Sequence, residues 1–118
     1  MSSKDEKIQK LVEKGKVDKI IKLTEDREED TRAAAFEALG NFTTELACEA
    51  LQNAIRDESP KIRMAVAKAF QKVGSDHVSE ALRHQMLAET DPALKAEFEK
   101  AMDFAREHRF EDMVKASK

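Results

Sequence analysis

Residues 57–82 of the chain read DESPKIRMAVAKAFQKVGSDHVSEAL, and residues 26–51, which lie 31 positions earlier, read DREEDTRAAAFEALGNFTTELACEAL. Both stretches start with an aspartate, carry an arginine six positions later, and then place small or apolar residues at i, i+1, i+4, i+5 and i+8. At about 100° per residue, these positions share one face of a helix. Each stretch therefore predicts an amphipathic helix, which we call an A helix.

A second apolar stripe follows each A helix and predicts a partner, the B helix. The A stripes comprise Ala34, Ala35, Ala38, Leu39 and Phe42, then Ala65, Val66, Ala69, Phe70 and Val73, then Phe98, Ala101, Met102 and Ala105. The B stripes comprise Ala47, Ala50, Leu51, Ala54 and Ile55, then Val78, Ala81, Leu82 and Met86. Extending the register outward adds Ile8 and Leu11 at one end, and Phe110, Met113 and Val114 at the other. The sequence thus predicts a helix pair every 31 to 32 residues.

Helix-capping residues follow the same period. Ser59-Pro60 and Asp91-Pro92 each offer an N-cap oxygen and a proline at the first helical position, and Thr43-Thr44 and Ser75-Asp76 precede the B helices. We predict an all-α protein, a right-handed α-α superhelix of about four helical hairpins, of which the first and last are incomplete. It forms a single domain over residues 1–118, with units at approximately 5–28, 29–58, 59–90 and 91–118. Residues 91–116 fit either a hairpin or one long helix.

Composition restricts the classes of function. The net charge is −3 and the isoelectric point is about 5.7, which disfavours binding to a phosphate backbone. Cys48 is the only cysteine, so no internal disulfide forms, and a reducing compartment is indicated. The charged N-terminus does not resemble a secretory signal, and no apolar run approaches the ~20 residues of a membrane span. We expect a cytoplasmic protein that does not cross a membrane.

The repeated motif resembles the HEAT-like repeats, and in particular the short form of phycobilisome-lyase-type repeat proteins. The resemblance rests on Asp57, Ile62-Arg63, Ala65-Val66, Ala69-Phe70, Val73-Gly74 and Ala81-Leu82, and on the same pattern around Asp26, Arg32 and Leu39-Gly40. It implies a ladder between repeats formed by Asp26, Arg32, Asp57 and Arg63, with Glu89 and Lys95 as its continuation. It also implies that the B helices line the surface that holds partners.

Candidate catalytic and metal-binding residues are few. His77, Glu80 and His84 share a helix face, but residues seven apart are separated by about 10 Å along the axis, too far to ligate one ion. Cys48 lies near Glu45 and Glu49, which oppose thiolate formation. Phosphate-binding glycine loops are absent from a chain with three glycines. We therefore expect no catalytic residue, no metal and no cofactor, and we predict that the chain is not an enzyme.

The outward positions of the B helices are the candidate partner-binding residues. They are Glu45, Cys48, Glu49, Gln52, Arg56, Asp76, Ser79, Glu80, Arg83 and Leu87. The leading hypothesis is a non-catalytic protein–protein interaction or scaffolding module that binds another protein there, and a homo-oligomer is left open. One alternative, from the resemblance, is an accessory subunit of a bilin-lyase-like modification system. Another is a phosphate or nucleic-acid binder that uses the N-terminal lysines Lys4, Lys7, Lys10, Lys14, Lys16, Lys19 and Lys22.

Two phenylalanines lie off the A stripes. Phe36 and Phe104 fall some 90–130° away from the apolar stripe by helical-wheel geometry. Such residues either anchor a partner or fill the joints between adjacent A helices. We favour the second role, because a helix in the middle of a stack has a neighbour on each side.

Overall fold

The computed structural model describes residues 3–73 and 78–116, with side-chain environments for residues 4–73 and 78–107. This part of the chain contains α-helices and one 3₁₀ turn, and no strand. The helices are α1 (Ser3–Glu13), α2 (Val17–Leu23), α3 (Glu29–Ala38), α4 (Glu45–Asn53), α5 (Pro60–Ala69), α6 (Ser79–Ala88) and α7 (Pro92–Ala116). The 3₁₀ turn, Leu39–Asn41, extends α3.

The predicted caps start three of these helices. The hydroxyl of Thr44 accepts a hydrogen bond from the Ala47 N–H at 3.3 Å and starts α4. Ser59 does the same for the Ile62 N–H, and Pro60 is the first residue of α5. The Asp91 carboxylate accepts from the Ala93 N–H at 3.0 Å at the start of α7. The predicted cap at Ser75-Asp76 lies outside the described residues.

The helices form two layers. The A helices α1, α3, α5 and α7 pack side by side in that order, and the B helices α2, α4 and α6 form the second layer. α2 packs against α3 and α4, and α6 lies along α7. The molecule measures 46 × 35 × 22 Å, so its shortest dimension is about two helix diameters. The predicted α-α solenoid is confirmed.

The core runs between the layers along the predicted stripes. Ile20, Leu51 and Leu82 recur at a spacing of 31 residues on α2, α4 and α6, and each is 0% exposed. On the A side, Leu39, Val66, Phe70 and Phe98 are likewise 0% exposed. Phe36 is buried in the same core, and Phe104 is half-buried. Each hairpin therefore buries its stripe against its neighbours, as a repeat protein must.

The last unit resolves the alternative that the sequence leaves open. Residues Pro92–Ala116 form one helix of 25 residues and not a hairpin. No glycine follows Gly74, and no proline follows Pro92, so nothing in this segment ends the helix. The side chains of the predicted terminal stripe, Phe110, Met113 and Val114, lie outside those described.

Gly40 allows a close contact between two helices and does not supply an unusual backbone angle. Its φ angle is not positive, and among the described residues only Gly15 has a positive φ, of 69°. A Cβ atom on Gly40 would lie 2.8 Å from the Cα of Ala69 and 2.9 Å from its carbonyl oxygen. Gly40 therefore lets α3 and α5 approach more closely than any side chain would permit.

Candidate functional site

The outward surface of the B helices, which we call the B face, begins with α4. Leu51 and Ala47 point into the core from this helix, and the candidate side chains occupy its other sides. Glu45, Glu49 and Gln52 of α4 are exposed to solvent, and so is Arg56, which lies in the turn after the helix. Cys48 is half-buried. The described structure gives neither Glu45 nor Glu49 an ion pair within 4.0 Å, so both carboxylates are available to a partner.

α6 supplies the second part of the B face. Glu80, Arg83 and Leu87 are exposed and Ser79 is half-buried, whereas the candidate Asp76 lies outside the described residues. The guanidinium of Arg83 donates to Glu80 at 3.3 Å, one helical turn away. Such an exposed pair contributes little to stability, because solvent screens it. Its charges can therefore exchange this contact for one with a partner at low cost.

α2 adds to the B face an exposed carboxylate, Asp18, which is not among the predicted partner-binding residues. Asp18 lies 31 residues before Glu49, which lies 31 residues before Glu80, and all three are exposed. One carboxylate per B helix thus recurs along the solenoid. The signal was present in the sequence, since the repeat register alone places Asp18 in this row.

Two exposed leucines stand out among the charged side chains of the B helices. Leu87 is 60% exposed, and Leu46, at the start of α4, is 58% exposed. The helical periodicity does not single out Leu46, because it lies one residue before the stripe residue Ala47. Single exposed apolar side chains are common on protein surfaces and do not by themselves mark a binding site. Leu46 lies at the start of α4 and Leu87 lies near the end of α6.

The ladder residues tie neighbouring repeats together in a way that differs from a simple Asp–Arg pair. Arg32 donates to the carbonyl oxygen of Asp26 at 2.8 Å, and Arg63 donates to that of Asp57 at 2.7 Å. The Asp26 carboxylate accepts from the Glu28 N–H at 3.1 Å, and the Asp57 carboxylate accepts from the Ser59 N–H at 2.9 Å. Each aspartate therefore shapes its loop, and each arginine holds the backbone of that loop.

Glu89 occupies the next position of the ladder and does accept an ion pair. Its carboxylate accepts hydrogen bonds from Nε of Arg63 at 2.6 Å and from Nη2 of Arg63 at 3.1 Å. It also accepts one from the Gln85 side-chain amide at 2.7 Å. Burial raises the pKa of the Glu89 carboxyl, but the hydrogen bonds from Arg63 and Gln85 outweigh burial and hold this pKa below its ordinary value. Lys95, proposed as the last member, is exposed on α7.

The candidate reactive side chains have ordinary structural surroundings. Burial raises the pKa of the Cys48 thiol, which lowers the share of reactive thiolate at neutral pH. His84 is exposed and 4.0 Å from Glu80, whereas His77 and the side chain of His108 lie outside those described. Within the described residues, no three His, Cys, Asp or Glu side chains converge as a metal site requires. No catalytic arrangement emerges from these contacts.

One of the N-terminal lysines, Lys4, pairs with acidic residues of the neighbouring loop. Lys4 lies 3.0 Å from Glu28 and 3.7 Å from Asp26, on the loop before α3. The hydrogen bond with Glu28 raises the pKa of Lys4, with a smaller contribution from Asp26. Lys4 therefore helps to hold α1 against the loop of the neighbouring repeat.

None of the helices in residues 3–73 and 78–116 combines the length and the apolar character that a membrane crossing requires. Among curated proteins, no significant match to the chain is found. The family model of HEAT repeats matches residues 17–103, a span that runs from the start of α2 into α7 and includes the ladder and most of the B face. Together with the two-layered stack of helix pairs, this match shows that the chain belongs to the HEAT repeat family.

Proposed function

We propose that this protein is a non-catalytic binding or scaffolding module of the cytoplasm that holds another protein on its B face. HEAT repeats generally mediate protein–protein interaction or scaffolding, and HEAT repeat proteins are typically non-catalytic. The proposal assigns that role here to the exposed side chains of α4 and α6. The partner is an extended segment or a helix that lies across these two helices.

The observation that carries the proposal is the composition of the B face. Leu87 is 60% exposed and is accompanied on α6 by Arg83, while α4 presents two carboxylates that have no ion pair in the described structure and Arg56 follows that helix. In an interface, an apolar centre provides burial and the charged groups around it select the partner. The A helices offer no comparable combination, because none of them exposes a large apolar side chain in the described part of the chain.

Charge reversal at the two arginines of the B face tests the proposal. The double variant Arg56→Glu with Arg83→Glu changes the charge of this surface by four units without touching the core. We expect it to lose the proteins that the wild-type chain retains in pull-downs from its source cell, identified by mass spectrometry. The matched control is Lys68→Glu with Arg106→Glu, which makes the same charge change at exposed positions of α5 and α7.

The two double variants separate a specific loss from a general effect of charge. Equal retention of partners by Arg56→Glu/Arg83→Glu and by the wild-type chain would rule out the B face. Equal loss in both double variants would show that net charge, rather than this surface, governs binding. Circular dichroism of each variant establishes that the helices are intact before the comparison is made.

A further inference from the structure

We draw no further inference here: the strongest candidate, the row of exposed carboxylates that Asp18, Glu49 and Glu80 form across the B helices, belongs to the B face already described, and nothing in the described part of the chain shows what covers it.

Discussion

Nε of Arg63, near the start of α5, donates to the carboxylate of Glu89, which follows α6, at a distance of 2.6 Å. The same guanidinium also holds the carbonyl oxygens of Asp57 at 2.7 Å and Glu58 at 3.2 Å, in the loop before α5. One side chain therefore joins the loops at the two ends of the third repeat. Both members of the pair are shielded, with 17% and 4% of their side chains exposed.

Because of this ion pair, the free energy of unfolding depends on pH in the acidic range. The pKa of Glu89 is lowered in the folded protein, so its contribution is complete above the ordinary glutamate pKa of about 4.3 and is lost as the pH falls through the folded-state pKa. We expect Glu89→Gln to lower the free energy of unfolding by about 1–3 kcal/mol at pH 7. The measurement is urea unfolding at pH 7, 5, 4 and 3.

The difference between wild type and Glu89→Gln should shrink as the pH falls towards 3, because the stability contributed by the charge of Glu89 is lost on the way to its lowered folded-state pKa. Glu49→Gln is the control, since it removes an exposed carboxylate that has no ion pair in the described structure. We expect that variant to stay within about 0.5 kcal/mol of wild type. A deficit in Glu89→Gln that is equally large at pH 7 and pH 3 would mean that the charge of Glu89 contributes nothing.

The loop aspartates give a second prediction. Asp57 accepts a hydrogen bond from the Ser59 N–H at 2.9 Å, while Arg63 binds only its carbonyl oxygen. Asparagine retains an acceptor oxygen, so Asp57→Asn should change stability little, whereas Asp57→Ala should lose about 1 kcal/mol. Thermal unfolding followed by circular dichroism compares the two. Equal losses in both variants would show that the negative charge, rather than the hydrogen bond, is what the loop needs.

The sequence predicted those features that repeat and missed those that depend on a single contact. The stripes around Leu51 and Leu82 and the cap at Ser59 follow from helical periodicity, which is local, and the structure contains all of them. The choice of Glu89 as the partner of Arg63 is not local, because the two residues are 26 positions apart. Asp57 and Glu89 occupy equivalent positions and differ by one methylene, and only the glutamate forms an ion pair with the A-helix arginine.

The candidate sites divide in the same way. The register of the repeat predicted which residues of α4 and α6 point outward. The exposure of Leu46 depends on the exact start of α4 and was not predicted.

Cys48 provides a prediction on reactivity. Burial raises the pKa of its thiol, so less thiolate is present at neutral pH than on an exposed cysteine. We expect iodoacetamide to modify Cys48 at pH 7.5 several-fold more slowly than it modifies N-acetylcysteine, with the rate rising steadily through pH 9. Intact-protein mass spectrometry follows the reaction, and 6 M urea should abolish the difference. A rate at pH 7.5 above that of N-acetylcysteine would indicate an activated thiol instead.

The contact between Gly40 and Ala69 predicts which glycine the fold tolerates least. Gly40→Ala places a Cβ 2.8 Å from the Cα of Ala69, so α3 and α5 must separate, and we expect a loss of about 1–3 kcal/mol. Gly15→Asn is the control, because nothing lies within 4 Å of its Cβ position and asparagine accepts the φ angle of 69°. Urea unfolding should rank Gly40→Ala well below Gly15→Asn. The reverse order would mean that backbone conformation, and not the contact between α3 and α5, sets the need for glycine.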